Sequence, residues 1–290
     1  MNRIARLNFK ETFEHIRREP VIVAFLSGKG GVGKSVVTYN VAAALSGMGK
    51  RVLLIDAVWD FGSQHLLANI NPDRTLADIV DNQSGLDESA VVLRENFRLV
   101  ASPSAQRSDT KFVPQNYRGF LKSLKEANLP YDLILLDTPS SHLEIIRDSV
   151  AVSDVNLMVI NPELTSMANS YGLYKFLMQS VKGFNAHIFV NRVEFGKDSE
   201  YMYQKFAVLS ERFLGQTPFY AGYLHDNREI TDSIMRQKAV VDIAPESETA
   251  AQILNLCKFL TKEMAALTDN RMNAPEPKIN SRTNIAEIKG

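Results

Sequence analysis

VIVAFLSGKGGVGKS, residues 21–35, decides the fold. Six apolar residues run into a glycine-rich octapeptide that fits the phosphate-binding pattern G-x-x-x-x-G-K-[ST], with Gly28, Gly33, Lys34 and Ser35 at the fixed positions. A strand that ends in such a turn and leads into a helix aims the amides of Gly30, Gly31, Val32, Gly33 and Lys34 at phosphate oxygens. Side chains at the glycines would block that approach. Lys34 then neutralises the outer phosphates, and the Ser35 hydroxyl takes one place in the octahedral oxygen shell of a magnesium ion. Val36 opens the helical stretch 36–45 and completes the nucleotide-binding set.

Further apolar runs follow at 52–55, 97–100, 133–136, 155–160 and 188–190, with helix-length segments between most of them. That rhythm predicts an α/β fold: a mostly parallel, doubly wound sheet covered by helices on both faces. In such folds ligands sit at the carboxyl ends of strands, and Asp56, Asp137 and Asn191 fall at or just past strand ends. Asp137 closes the run YDLILLD, where a carboxylate that holds magnesium's water shell is expected, and Asp56 closes VLLID with the same duty through water.

The chain has 290 residues, 45% of them hydrophobic, with 33 basic and 33 acidic side chains. One large ATPase-type domain over 20–267 is expected, preceded by an extension over 1–19 with a basic, amphipathic helical pattern and followed by a disordered tail over 268–290. The helix before the tail carries Ala250, Ile253, Leu254, Cys257, Leu260, Met264 and Leu267 on one stripe, with Ser247 as its cap. Cys257 is the single cysteine, so a disulfide framework and any site built on two thiolates of this chain are excluded. No apolar run approaches the ~20 residues that span a bilayer, and a cytoplasmic location is expected, polar or peripheral to the membrane only through a partner. Zero net charge argues against tight non-specific binding to DNA, although a local basic patch remains open.

The doubled lysine of KGGVGKS resembles the deviant phosphate loop of the MinD/ParA family, and the resemblance extends over about residues 20–265. It implies that Lys29 reaches across an ATP-loaded homodimer to the partner's phosphates, the favoured reading, with a solvated lysine on an exposed turn as the alternative. The stretch DAVWDFGSQHLL resembles the switch region of FlhG/FleN-like and CpaE-like positioning proteins, where the pattern begins D-x-D and the second aspartate positions the attacking water. Val58 stands at that position here, and a valine can neither accept a proton nor hold a water. Either Asp60 takes over, or hydrolysis is slow and the protein acts as an ATP-gated switch, which is the preferred reading. The resemblance also implies that Glu163 of NPE lies near the dimer interface and that Asn191 and Arg192 meet the adenine, although Glu163 equally fits an ordinary helix start and His225 replaces a usual proline in the closing segment.

These readings give a catalytic set of Lys29, Lys34 and Asp60, with ATP and Mg2+ as cofactors. The expected function is an ATP hydrolase of low intrinsic rate, or ATP switch, that dimerises and controls the placement or number of a structure such as a flagellum or pilus, through an unidentified partner of the flagellar, pilus or polarity machinery. A DNA-partitioning ATPase and a hydrolysis-deficient scaffold are the alternatives. Membrane contact through the C-terminus is not expected, because Pro275 and Pro277 divide its few apolar residues.

Overall fold

The computed structural model describes residues 19–59, 61–103 and 112–272. Its strands are β1 (Val21–Leu26), β2 (Val52–Asp56), β3 (Val91–Arg94), β4 (Phe97–Val100), β5 (Leu133–Asp137), β6 (Val155–Ile160), β7 (His187–Val193) and β8 (Phe219–His225). They form one sheet in the order β3-β4-β2-β5-β1-β6-β7-β8, parallel throughout except for the antiparallel edge pair β3/β4. The described helices are α1 (Lys34–Gly47), α2 (Gln64–Leu67), α3 (Leu76–Val80), α4 (Leu86–Ser89), α5 (Pro114–Glu126), α6 (Leu143–Val152), α7 (Leu164–Ser180), α8 (Gly196–Leu214), α9 (Arg228–Arg236), α10 (Val240–Ile243) and α11 (Glu248–Met272).

The central strand β1 is buried along its whole length because both faces are covered. Val21, Val23 and Phe25 join the core that includes Val41 and Leu45 of α1 and Ile253, Cys257 and Leu260 of α11. The alternate residues point the other way, Ile22 toward Tyr117 and Leu121 of α5, and Ala24 and Leu26 toward Ile146 of α6 and Leu177 of α7. Burying each such side chain contributes about 1.5–3 kcal/mol, so the two helical layers hold the sheet without help from disulfides. Cys257 is the expected apolar filler: its thiol is buried, donates to the Val41 carbonyl at 3.7 Å, and is pushed up to about 12 by burial.

Ser247 caps α11 by accepting the amide of Ala250 at 3.1 Å. The helix does not stop at Leu267, where the apolar stripe fades, but continues to Met272, so residues 268–272 belong to the fold and not to a tail. The reason is a polar tether that periodicity does not record. Arg271 donates to Asp154 at 2.7 Å and to the Glu19 carbonyl at 3.4 Å, and Asp154 also takes Lys125 at 3.0 Å. This ties the end of α11 to the chain entering β1, on the amino edge of the sheet. Residues 1–18 and 273–290, and with them the remaining expectations for the extension and the tail, lie outside the described residues.

His187 opens β7 stacked on Phe219 at 5.1 Å and edge-on to Phe259 at 4.9 Å, and burial holds its pKa below the usual histidine value. A depressed folded pKa means that the unfolded chain takes up the proton first, so this contribution is present above the ordinary pKa of ~6.5 and is lost as pH falls below it. Thermal unfolding followed by circular dichroism at pH 7.5 and pH 5 should therefore show a larger fall in Tm for the native chain than for His187→Phe.

Candidate functional site

The octapeptide at 28–35 folds as its composition requires. Gly31 and Gly33 take left-handed backbones, with φ of 79° and 88°, and Gly33 caps α1 while its carbonyl accepts the Val37 amide at 2.9 Å. The first amides of α1 have no partner within the helix, as at any helix N-terminus. Gly28 is a glycine for a different reason: a Cβ there would lie 2.4 Å from the backbone of Asn169 and Ser170 in α7. At Gly30 the nearest atom to such a Cβ would be the Ser140 hydroxyl at 3.4 Å, so this glycine is kept for access and not for packing.

Beneath the loop lie the two predicted carboxylates. Asp56 and Asp137 are register partners on the neighbouring strands β2 and β5, and both are fully buried. Lys34, itself buried, forms an ion pair with Asp137 Oδ1. Asp56 is hydrogen-bonded by the amides of Val58 at 3.2 Å and Gln64 at 3.0 Å, yet burial, and then the charge of Asp137, push its pKa up to about 7. Two buried carboxylates thus share one ammonium, an imbalance that a divalent cation would remove. Among the described residues no group of three His, Cys, Asp or Glu could hold a metal. That fits magnesium, which takes one or two protein carboxylates and completes its shell with waters and phosphates. Ser35, Asp56 and Asp137 are the residues suited to it.

Gln64 was not legible as a site residue. It is fully buried at the start of α2, and its Nε2 donates both to the Ser35 carbonyl at 3.0 Å and to Asp137 Oδ2 at 2.7 Å. It therefore stitches α1, β5 and the switch segment together. A buried glutamine carries no periodic signal, and only the close return of residues 62–64 toward Asp56 brings it here.

The other predicted residues gather at the same edge. Lys29 forms an ion pair with Glu163 and reaches Thr165 Oγ1 at 3.2 Å. Lys29 and, less strongly, the amide of Asn161 at 2.6 Å hold the Glu163 carboxyl below its usual range. Glu163 occupies the N-cap position of α7 with an extended backbone and no side-chain capping bond, as an ordinary helix start would. Asn191 is buried and donates to the Val32 carbonyl at 2.8 Å, which leaves its Oδ1 for a base. Arg192 sits in the left-handed region, φ 59°, where the β7/β8 register slips, and this turns its guanidinium to within 3.9 Å of where a Cβ on Gly33 would lie. Val58 is half-buried beside Asp56; Asp60 lies outside the described residues.

The AAA domain family profile matches residues 21–190, more than half of the chain, and takes in the glycine turn, Asp56, Gln64, Asp137 and Glu163. The chain belongs to the MinD/ParA family within it. Antiactivator FleN of Pseudomonas aeruginosa is 25% identical over 229 residues, 79% of this chain and 82% of FleN. The septum site-determining protein MinD of Synechocystis sp. is 31% identical over 154 residues, 51% of this chain and 56% of that protein. Among solved structures, MinD from Pyrococcus horikoshii complexed with Mg-ADP superposes with a TM-score of 0.72 at 22% identity, covering 86% of this chain and 98% of that one. The doubly wound phosphate-loop fold of the family is thus the fold described above.

Gly28 and Gly30 separate packing from access. Gly28→Ala should cost about 1–3 kcal/mol by overpacking against α7, and in a chain of this size each kcal/mol should lower Tm by ~2–4 °C. Gly30→Ala should leave Tm near the native value while weakening nucleotide binding by calorimetry.

Proposed function

We propose that this protein is an ATP-gated, dimerising switch that acts in placing a cellular structure. The observation that carries the reading is the pair of lysines in one glycine turn, one buried against the site of its own nucleotide and the other held at the rim. Lys34 lies under the loop on Asp137, whereas Lys29 is one-third exposed and bound to a half-exposed carboxylate. A solvent-screened ion pair of that kind is weak, so Lys29 is easily given to a partner's phosphates.

The surface around the turn supports the same reading. Phe61, Leu143, Leu164 and Phe195 follow β2, β5, β6 and β7 at the carboxyl edge, and all are exposed, Phe61 at 83% and Leu164 at 77%. Apolar side chains ringing a phosphate site favour a second protein surface over open water. A second copy seated there encloses both nucleotides, so the dimer reports the presence of a third phosphate. With ADP, or with no nucleotide, that interface lacks its central contacts.

Val58 makes the switch slow. Ser35, Asp56 and Asp137 would hold the magnesium, which when bound supplies charge neutralisation of the phosphates; Lys34 and the loop amides orient them; but Val58, standing where the resemblance places a water-orienting aspartate, can neither accept a proton nor hold a water. The likeness to FleN and MinD supports a positioning role, with a flagellum or pilus and its machinery as the structure served. Neutral net charge favours a protein partner over DNA.

Size-exclusion chromatography with ATP and Mg2+ should show a dimer that ADP does not support, and Lys29→Ala should lose it. Val58→Asp should raise phosphate release about 10²-fold or more, the contribution typical of a positioned base. A native chain that already hydrolyses as fast as Val58→Asp would refute the slow switch.

A further inference from the structure

We propose that Gln64 is a positioning residue for the magnesium ion's water shell, and that it carries metal occupancy from the phosphate site into the switch segment. The inference rests on the nucleotide reading above and goes beyond it. Gln64 is 0% exposed, and while its Nε2 bridges Ser35 and Asp137, its Oε1 is buried with no hydrogen-bond partner. A buried carbonyl oxygen without a donor costs free energy, and it lies on a side chain already bonded to Asp137, one of the groups suited to holding the metal, and to the backbone of Ser35, whose hydroxyl is another. A metal-bound water is a donor, and it would meet that need.

The residue type matters. A lysine could only donate here and an aspartate only accept, whereas a carboxamide can donate to Asp137 and accept from a water at the same time. Gln64 also acts through its backbone, since its amide donates to Asp56 Oδ2 at 3.0 Å. One residue therefore touches both buried carboxylates and the start of α1. Gly62 permits this close return: a Cβ on it would fall 1.8 Å from the Ser102 hydroxyl and 2.6 Å from Asp56 Oδ2. Change at Gln64 has a direct outlet, because it begins α2, whose exposed Leu66 gives its carbonyl to Gln237, beyond the end of α9, at 2.7 Å.

The chain supplies its own reporter. Trp59 is the single tryptophan, lies between Asp56 and Gln64, and packs edge-on to Phe112 at 5.0 Å. Calorimetry of ATP binding in EDTA and in Mg2+, with Trp59 emission read in parallel, should be carried out on the full native chain, Gln64→Leu and Gln64→Asn. The native chain should bind ATP in EDTA, gain affinity with Mg2+ and change its Trp59 emission when the metal is added. Gln64→Leu should keep its affinity in EDTA, lose about tenfold or more of the gain from Mg2+, as expected for a hydrogen bond to a charged shell, and show no metal-dependent emission change. Gln64→Asn keeps the carboxamide but shortens its reach, so it should fall in the same direction, and it decides the question if the leucine variant does not fold. Full retention of the Mg2+ gain and the emission change in the folded variants would overturn the assignment. Failure of the native chain to bind ATP under either condition would overturn the nucleotide reading itself and this proposal with it.

Discussion

Two carboxylates buried side by side, with a single ammonium paired to one of them, set the terms for the rest of this molecule. Asp56 and Asp137 are brought together because β2 and β5 are adjacent, parallel and in register, and because the last residue of each strand ends at the same height. Neither group is exposed, so the protein answers the charge with Lys34, with the amides of Val58 and Gln64, and with the carboxamide of Gln64. Those donors come from two segments, the glycine turn and the stretch that follows β2. Electrostatics at the sheet edge therefore ties both segments to the ends of β2 and β5, and a cation bound there would compete with the same donors.

The glycine turn solves a separate problem, that of bringing the backbone close. Gly28 lets α7 lie against the loop, Gly33 turns the chain into α1, and Asn191 holds the loop from below through the Val32 carbonyl. Three elements far apart in sequence thus converge on eight residues. This explains why Lys29 and Glu163, 134 positions apart, can meet at the rim.

Much of this was written in the sequence, and what was not has a physical cause. The loop, its lysines, Asp56 and Asp137 were legible because the chemistry of phosphate and magnesium needs those residue types at fixed local spacings. The central strands were legible because burial on both faces makes them continuously apolar. By contrast, β8 sits at the sheet edge and half-exposes FYAGYLH, so it carries no such run. The antiparallel β3 is short and lies at the opposite edge. Gln64 escaped notice because nothing local marks a buried glutamine; its place depends on contacts with residues 29 and 73 positions away. The end of α11 was misjudged for a related reason, being fixed by Arg271 on Asp154 and not by an apolar stripe.

That last contact has a practical corollary. Arg271 gathers Glu19 and the final turn of α11 beside Asp154, which precedes β6, at the pole of the sheet away from the glycine turn. The described chain therefore begins and ends at the rear of the molecule, at Glu19 and Met272. A fluorophore or an affinity handle attached to Glu19 or Met272 itself would be anchored on the side opposite the glycine turn.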